Sequence, residues 1–518
     1  MKRSAAVPPR IALAVLLLLI RGAFLEAQVA AVQPEGARWL ERLSSEAGQV
    51  LPSASFPYSG SYLFGNVTAL QGRAGDRADP QLQQMGARLA GQDGAAIDAA
   101  IAVTYERYVR PDIALPLGEY LQVVDPFVVL ELSYQLDLSL AVYVEAVALR
   151  EYRVGMGGDN WLPYRDGNPV ALENNMVQQG YLYFNPGPFE ITFGRQKVSI
   201  GPSPFTSIAI SRAVPFLDAL NLKANLGRLR MTLLLSTLEN RSAQGDVTIP
   251  TADYAFSKTV ILYNTHYFEY DFGFLRAGIG SSVLITRPDN AFQISDFFPV
   301  FSWHNANIVP NNLSLFLDVS AVPLRGVKLY GQFGFDDINA GFAGAHDTGI
   351  PTIWAGLLGA EWFGGLASVP LSAAVEVGYT HYLWGSFDDD VPLARAIYRM
   401  DLDGPRQWMP LTSPFGPGAA WVIAEVTAET PWHLSSTLSF RLVSRNTLAS
   451  LAGPYVADPI VRNAARTLAL QTGLGVIYRP FPWLKATVNP VLHVEDGTAW
   501  LELEAGAGAH LEGKRVLR

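Results

Sequence analysis

The sequence predicts an all-β transmembrane fold, an antiparallel up-and-down outer-membrane β-barrel of about 18 strands. Segments of about ten residues alternate apolar with polar side chains. The connections between these segments alternate between short Gly/Pro/Asn turns and long polar stretches. Strands of this length cross a bilayer at a tilt, and transmembrane barrels keep their short turns in the periplasm and their long loops outside.

The alternation is clear within residues 327–335, where Val327, Leu329 and Phe333 share one face and Lys328 and Gln332 share the other. One such face meets lipid and the other meets a wet lumen. The expected strands begin at 116–124 and end at 498–510. With an even number of strands, the chain both enters and leaves the barrel on the periplasmic side.

The sequence predicts a secretory signal peptide at residues 1–27. Lys2, Arg3 and Arg10 precede the apolar run 11–20, and small residues such as Ala27 offer a cleavage site. The apolar run is far shorter than the about 20 residues of a transmembrane helix.

Residues 31–112 differ from the rest and predict a small periplasmic helical element. Within 36–47 the apolar residues fall at helical spacing, and a similar period runs through 79–108. The barrel is then expected over 116–512.

The composition excludes several classes of protein. Cysteine is absent, so neither disulfides nor thiolate-bound metals are available. A net charge of −9 is unfavourable for nucleic acid. The seven histidines lack metal-ligand spacing, and neither a phosphate-binding glycine loop nor a GxSxG elbow occurs. We therefore expect no enzyme activity, no cofactor and no metal.

Segment 193–220, FGRQKVSIGPSPFTSIAISRAVPFLDAL, carries a recognisable motif. Gly194 and Arg195 end a strand, Gly201 and Pro202 follow in a loop, and Pro215 precedes the next strand. Residues 303–337 and, more weakly, 376–382 add to it. Together they resemble the capsule assembly protein Wzi family, an outer-membrane barrel with a small periplasmic helical element. The family's usual Trp-Gly-Pro-Gly core is altered, since Ile200 replaces the Trp and Ser203 the second Gly.

The resemblance implies lectin-like, non-catalytic binding of a capsular polysaccharide. An arginine at a strand end can bind an acidic sugar or form a rim salt bridge. An Asp pair can contact calcium or sugar hydroxyls, or neutralise a cation. A Trp-His-Asn cluster suits a sugar, although aromatic residues also collect at membrane interfaces. The candidate ligand-binding residues, expected at the outer end, are Arg195, Gly201, Pro202, Trp303, His304, Asn305, Asp336 and Asp337.

We expect the protein in the outer membrane of a diderm bacterium. Its partners would be a surface polysaccharide, the bilayer with its lipopolysaccharide-type outer leaflet and the outer-membrane assembly machinery. Two other functions fit the same strands, a surface scaffold or adhesin and a porin or substrate-selective channel. The charged residues that would line such a pore are Arg228, Arg230, Lys328, Glu376 and Lys485.

Overall fold

The computed structural model confirms the predicted fold class, because its strands close into one antiparallel barrel of 18 strands. The predicted signal peptide lies outside the described residues, which are 34–59, 62, 66–70, 96–109, 128–137, 140–148, 177–214, 216–238, 260–287, 311–338, 351–366, 369–386, 395–400, 408–430, 433–451, 459–481 and 483–516.

The barrel strands follow one another in chain order around the wall. They are β2 (Ala96–Val109), β3 (Val128–Asp137), β4 (Leu140–Ala148), β5 (Val177–Phe184), β6 (Phe189–Gln196), β8 (Leu217–Leu226), β9 (Leu229–Leu238), β10 (Val260–Asp271), β11 (Leu275–Arg287), β12 (Asn311–Leu324), β13 (Val327–Asp337), β14 (Ile353–Leu366), β15 (Val369–Thr380), β18 (Ala419–Glu429), β19 (Leu434–Asn446), β20 (Arg466–Phe481), β21 (Leu484–Glu495) and β22 (Thr498–Val516).

Four short strands and two described helices complete the architecture. Strand β1 (Ser55–Phe56) pairs with β7 (Ser199–Ile200), and β16 (Ile397–Met400) pairs with β17 (Trp408–Pro410). The helices are α1 (Pro34–Glu46) and α2 (Pro459–Arg462). No helix among the described residues is long and apolar enough to cross a membrane.

The barrel begins earlier in the chain than predicted. Residues 96–108, expected to be helical, belong to β2, which pairs with β22 along its whole length and with β3. Residues four apart, such as Ile97 and Ile101, share a face in a helix and in a strand alike, so their spacing could not distinguish the two. Closure of the barrel decided the conformation. The predicted strand 116–124 and residues 79–95 lie outside the described residues.

The two ends of the barrel differ as expected. One end, here the turn end, carries the short β-turns at Gly187, Gly227, Gly273 and Gly326, all at positive φ. The other, the loop end, receives the long connections. One tight turn, Asp496–Gly497, also lies there.

The outer wall is apolar, as a lipid-facing surface requires. Alternate large side chains along the strands are exposed, for example Leu130 and Leu132 on β3. Aromatic residues flank this belt. Phe481 stacks on Trp483 at the turn end, and Trp354 packs on Tyr379 at the loop end. This arrangement is typical of barrels that span an outer membrane.

The predicted helix at 36–47 is present as α1. It lies at the turn end, where Gly326 N–H donates to Ser45 O and Val50 N–H donates to Gly273 O. Leu40 is buried on its inner face.

Two segments inside the barrel, residues 49–59 and 197–214, form what we call the plug. They are joined by the β1–β7 pair and by the hydrogen bond from Gly201 N–H to Ala54 O. Plug and wall share a buried apolar cluster that includes Ile200, Ile210 and Tyr267. The plug positions most of the side chains considered below.

Candidate functional site

The chain enters the lumen through two glycines that no other residue could replace without strain. Gly194 has φ +127°, and a Cβ there would lie 2.3 Å from Gly180 O. Gly201 has φ +146°, and its Cβ would lie 2.6 Å from Ser207 Oγ. Both positions need the conformational freedom and the small size of glycine. The family-like motif is therefore a backbone device that turns the chain inward.

The carboxylate of Glu376 anchors the inserted chain. It is fully buried on the inner face of β15 and accepts hydrogen bonds from Ser203 Oγ and Thr206 Oγ1 of the plug. It also accepts from Tyr330 OH at 3.2 Å and Trp421 Nε1 at 2.9 Å. Four donors compensate for the loss of solvation of this carboxylate.

Strand β13 provides two further anchors. Gln332 Oε1 accepts from Ile208 N–H at 2.8 Å. Lys328 Nζ donates to Pro202 O at 3.0 Å, and to Glu41 and Glu361 at 2.8 Å each. Lys328 thus joins the plug, the wall and α1.

Glu41 on α1 is held in its charged form. Burial alone would raise the pKa of this carboxyl group, but the attraction of Lys328 and Arg212 outweighs burial and holds the pKa below its ordinary value.

The first plug segment is anchored in the same way. Glu269 on β10 accepts from Ser53 Oγ at 2.7 Å and from Ala54 N–H at 2.6 Å. Lys223 Nζ on β8 donates to Ser55 O at 2.8 Å. We call the inner faces of β8–β15 the filled wall, because their polar side chains bind the plug.

The inner faces of β3–β5 and β19–β22 form a second surface, which we call the paired wall. The hydrogen bonds described between its polar side chains lie within one strand or join neighbouring strands. They run from Tyr143 OH to Glu131 at 3.2 Å and to Glu145 at 3.3 Å, from Gln179 to Glu145 at 3.3 Å, between Gln471 and His493 at 3.0 Å, and from Asn489 to Glu504 at 3.1 Å. The two walls differ in what their polar groups bind.

The structure does not bring the predicted ligand residues into one site. Gly201 and Pro202 are buried in the plug, whereas we expected them at the outer end. The physical reason is the anchoring at Lys328 and Glu376, which holds the segment inside the lumen. Trp303, His304 and Asn305 lie outside the described residues.

Arg195 lies on the lipid-facing side of β6 and not on the lumen side. Its Nε donates to Asp218 at 2.8 Å, its Nη1 donates to Val177 O at 3.0 Å, and its guanidinium lies 4.1 Å from the Phe216 ring centre. This is the rim salt bridge that was one of the two sequence-based alternatives.

Asp336 and Asp337 end β13 at the loop end, as predicted. Asp336 Oδ2 accepts from Gly385 N–H at 2.8 Å, and Asp337 Oδ1 accepts from Ile338 N–H at 2.9 Å. Asp336 therefore fixes the turn that follows β15. Within the described part of the chain, no group of three or more His, Asp or Glu side chains could hold a metal ion.

The anchoring residues were only partly recognisable from sequence. Lys328 and Glu376 were predicted to face inward, and they do, but they bind the chain itself and do not line an open pore. Gln332 and Glu269 were missed. Their only signal is a polar residue on the inner face of a strand, which cannot tell a water-filled lumen from a plugged one.

No family model matches the chain, and no curated protein matches it significantly. Among solved structures it is similar to Wzi from Escherichia coli, described as a carbohydrate-binding β-barrel of the outer membrane involved in group 1 capsule assembly. The identity is 13%, the match covers 93% of this chain and 99% of that one, and the TM-score is 0.61. OccK1 and OccD3 of Pseudomonas aeruginosa match 81% of this chain and 98% and 94% of their own, at identities of 10% and 12% and TM-scores of 0.41 and 0.42. At these identities the likeness concerns the fold alone, and the chain shares the outer-membrane barrel fold of Wzi, which confirms at that level the resemblance that the motifs indicated.

Proposed function

We propose that this protein is an outer-membrane barrel that binds a capsular or exopolysaccharide and helps to anchor or assemble it at the cell surface, without catalysis. The observation that carries the proposal is the plug. Charged groups of the filled wall, such as Lys328 and Glu376, are bonded to the chain itself. A lumen filled in part by the chain itself suits an anchor better than a wide channel. The fold shared with Wzi, a carbohydrate-binding barrel by its description, supports the same function.

The proposed location is the outer membrane of a diderm bacterium. A signal peptide at residues 1–27 would direct export, and the assembly machinery would insert the barrel with its loop end towards the lipopolysaccharide-type leaflet. The polymer would then meet the loop end, where the stretch with Trp303, His304 and Asn305 connects β11 with β12. Few contacts per sugar give weak binding at one site, so attachment depends on many copies holding one chain.

Deletion of the gene, followed by measurement of cell-attached and shed polysaccharide, tests this function. We expect the attached fraction to fall and the shed fraction to rise, and the full-length gene should restore both. Complementation with Trp303→Ala should restore assembly of the barrel, seen as normal heat-modifiable gel mobility, but not attachment. Unchanged attachment in the deletion strain would reject the proposal.

A substrate-selective channel is the second candidate, and the paired wall favours it. Glu131, Glu145 and Arg441 are only partly buried there, unlike the anchors of the filled wall. Conductance of the purified protein in a planar bilayer separates the two functions. A large steady open channel supports the porin, and a closed barrel supports the anchor.

A further inference from the structure

Arg195 on β6 and Arg466 on β20 both lie on the outward face of the barrel at the loop end. Each belongs to the lipid-facing row of its strand, which contains Phe193 in β6 and Leu468 in β20, both more than half exposed. A charged side chain on this face of a transmembrane barrel is tolerated only near an interface. Such an arginine is therefore expected to be paired within the protein or to reach the lipid headgroups.

The two arginines differ in what they bind. Arg195 forms an ion pair with Asp218, with 2.8 Å between Nε and Oδ1. Arg466 donates to neutral oxygens, from Nε to Ser444 Oγ at 2.8 Å and from Nη2 to Ser444 O at 2.9 Å and Gly418 O at 3.0 Å. Among the described residues it has no carboxylate partner, and its Nη1 makes no hydrogen bond. Arg466 is thus held in place but keeps its net charge and further donors.

The connection between β19 and β20 adds a second arginine. Arg462 ends α2 and is exposed, and it has no ionic partner in the part of the chain that the structure describes. Asp496 lies at the same end of the barrel, but its Oδ1 accepts from Leu468 N–H at 3.0 Å and makes no described ion pair with either arginine. Arg462 and Arg466 therefore lack a compensating carboxylate among the described residues.

Exposed apolar side chains accompany these two arginines. Leu448 is 52% exposed and Ile460 is 69% exposed. The segment that carries them is fixed to the barrel rim, because Asn446 Nδ2 at the end of β19 donates to Val461 O at 2.6 Å. A basic and apolar surface is therefore held in one arrangement. We call it the rim patch and define it by Leu448, Ile460, Arg462 and Arg466.

The rim patch lies close to the aromatic girdle of the loop end. Arg466 acts electrostatically on the Tyr379 hydroxyl, and the Tyr379 ring centre lies 4.7 Å from that of Trp354. Trp and Tyr side chains collect where the hydrocarbon core meets the headgroups. Arginines at this depth meet lipid phosphates, while their apolar neighbours meet the upper part of the acyl chains.

We infer that the rim patch binds the phosphorylated sugar headgroup of an outer-leaflet glycolipid. Arg462 and Arg466 donate to phosphate oxygens, whose geometry matches the guanidinium fork, and Leu448 and Ile460 contact the acyl chains. Position and charge identify this occupant. The apolar wall beside the patch faces lipid, the outer leaflet expected there is of the lipopolysaccharide type, and its phosphates complement two uncompensated cations. The inference adds a lipid partner and does not depend on polysaccharide binding.

The test is competition for a fluorescent diphosphoryl lipid A bound to the detergent-purified full chain at low salt. The competitors are unlabelled diphosphoryl lipid A, monophosphoryl lipid A, phosphatidylcholine and the soluble glucosamine 1-phosphate. We expect diphosphoryl lipid A to compete about tenfold or more better than phosphatidylcholine, with monophosphoryl lipid A between them. Equal competition by phosphatidylcholine would show general lipid contact and overturn the inference. Equal competition by glucosamine 1-phosphate would show a site for free phosphate and overturn the choice of a lipid.

A double variant assigns this preference to the patch. Arg462→Gln with Arg466→Gln should weaken binding of diphosphoryl lipid A about tenfold or more, flatten its salt dependence and leave phosphatidylcholine competition unchanged. Arg195→Gln is the matched control, because it removes the same charge from the same face at the same end. Strands β21, β22, β2, β3, β4 and β5 separate it from β20. It should not change the affinity, and equal losses in both variants would overturn the assignment.

Arg462→Gln alone separates lipid binding from a structural role. Arg466 also bonds to Gly418 O, so its removal can disturb the rim, whereas Arg462 makes no described bond. Arg462→Gln should weaken binding of diphosphoryl lipid A about threefold without changing the Tm of the lipid-free protein, and Arg462→Lys should restore most of the affinity. A lower Tm with unchanged affinity would contradict the lipid site.

Discussion

The filled wall and the paired wall come from the same strand pattern but use their polar residues differently. On the filled wall, Glu376 and Lys328 bind segments that lie far away along the chain. On the paired wall, Tyr143 and Asn489 bind residues of their own or adjacent strands. Inward polarity alone therefore does not show whether a lumen holds water or protein.

The difference predicts where the protein is sensitive to mutation. A polar residue that holds the plug leaves several buried partners unsatisfied when it is removed. Removal of a polar residue that bonds only within its own or an adjacent strand leaves fewer partners unsatisfied. Changes on the filled wall should therefore cost more than comparable changes on the paired wall.

Glu376→Ala should have the largest effect. It leaves Ser203, Thr206, Tyr330 and Trp421 without their acceptor, and each stranded buried donor costs about 1–3 kcal/mol. We expect the free energy of unfolding to fall by about 3–5 kcal/mol. Trypsin should also cleave the released plug, which contains Lys197 and Arg212.

The control for this change is the neighbouring Val375→Ala, because Val375 is exposed on the outer face. It should leave trypsin resistance of the plug unchanged. If Glu376→Ala is as stable and as resistant as the parent, the plug is not held by this carboxylate.

Gly201→Ala should have the next largest effect. Gly201 and Gly187 both have positive φ, but a Cβ at Gly187 would meet nothing within 4 Å, whereas one at Gly201 would clash with Ser207. Chemical unfolding should therefore show Gly201→Ala to be less stable than Gly187→Ala by about 1–3 kcal/mol. Equal losses of stability in the two variants would mean that backbone strain alone destabilises them. Ser207 of the plug would then be able to move away from the added methyl group.

The contact between α1 and Lys328 should depend on pH through Glu41. The pKa of Glu41 is lowered on folding, so its charged form contributes stability above its ordinary value of 4.5, and this contribution is lost as the pH falls through the lowered pKa. Unfolding free energies of the parent and of Glu41→Gln should differ by about 1 kcal/mol at pH 6 and converge below pH 4.5.

The matched change on the same helix is Glu46→Gln. Glu46 pairs with Arg42 nearer the surface and should show a smaller difference at pH 6. If the difference in unfolding free energy between the parent and Glu41→Gln does not change with pH, the charge of Glu41 does not stabilise the protein.

Asn489→Ala tests the paired wall. It removes one hydrogen bond, to Glu504, and should cost about 1 kcal/mol without exposing the plug to trypsin. Cleavage of the plug in this variant would show that the two walls are coupled.

Arg195→Ala should have the smallest effect on stability. Its bond to Asp218 is partly exposed, so the free energy of unfolding, measured by thermal denaturation, should fall by no more than about 1 kcal/mol. Asp218→Ala removes the same ion pair but leaves Val177 O within reach of Arg195, so it should cost no more stability than Arg195→Ala. If Arg195→Ala also releases surface polymer while Asp218→Ala does not, the guanidinium itself contacts the ligand, contrary to its bonded position in the structure.

Period-two alternation and turn chemistry were enough to predict the barrel, its strands other than β2 and its two unlike ends, because both signals are local. The helix α1 was predicted from the spacing of Leu40 and Leu43. The strand β2 was not, because Ile97 and Ile101 fit a helix and a strand equally well.

Only the tertiary structure decided the role of the Gly201–Pro202 motif and the direction of Arg195. A motif in a long connection can lie over the barrel or enter it, and the choice depends on donors and acceptors, such as Glu376 and Gln332, that are more than 100 residues away in the chain. Within a strand, the sequence indicates which residues share a face. Which of them meet the chain itself depends on contacts between distant segments, and no local pattern encodes those contacts.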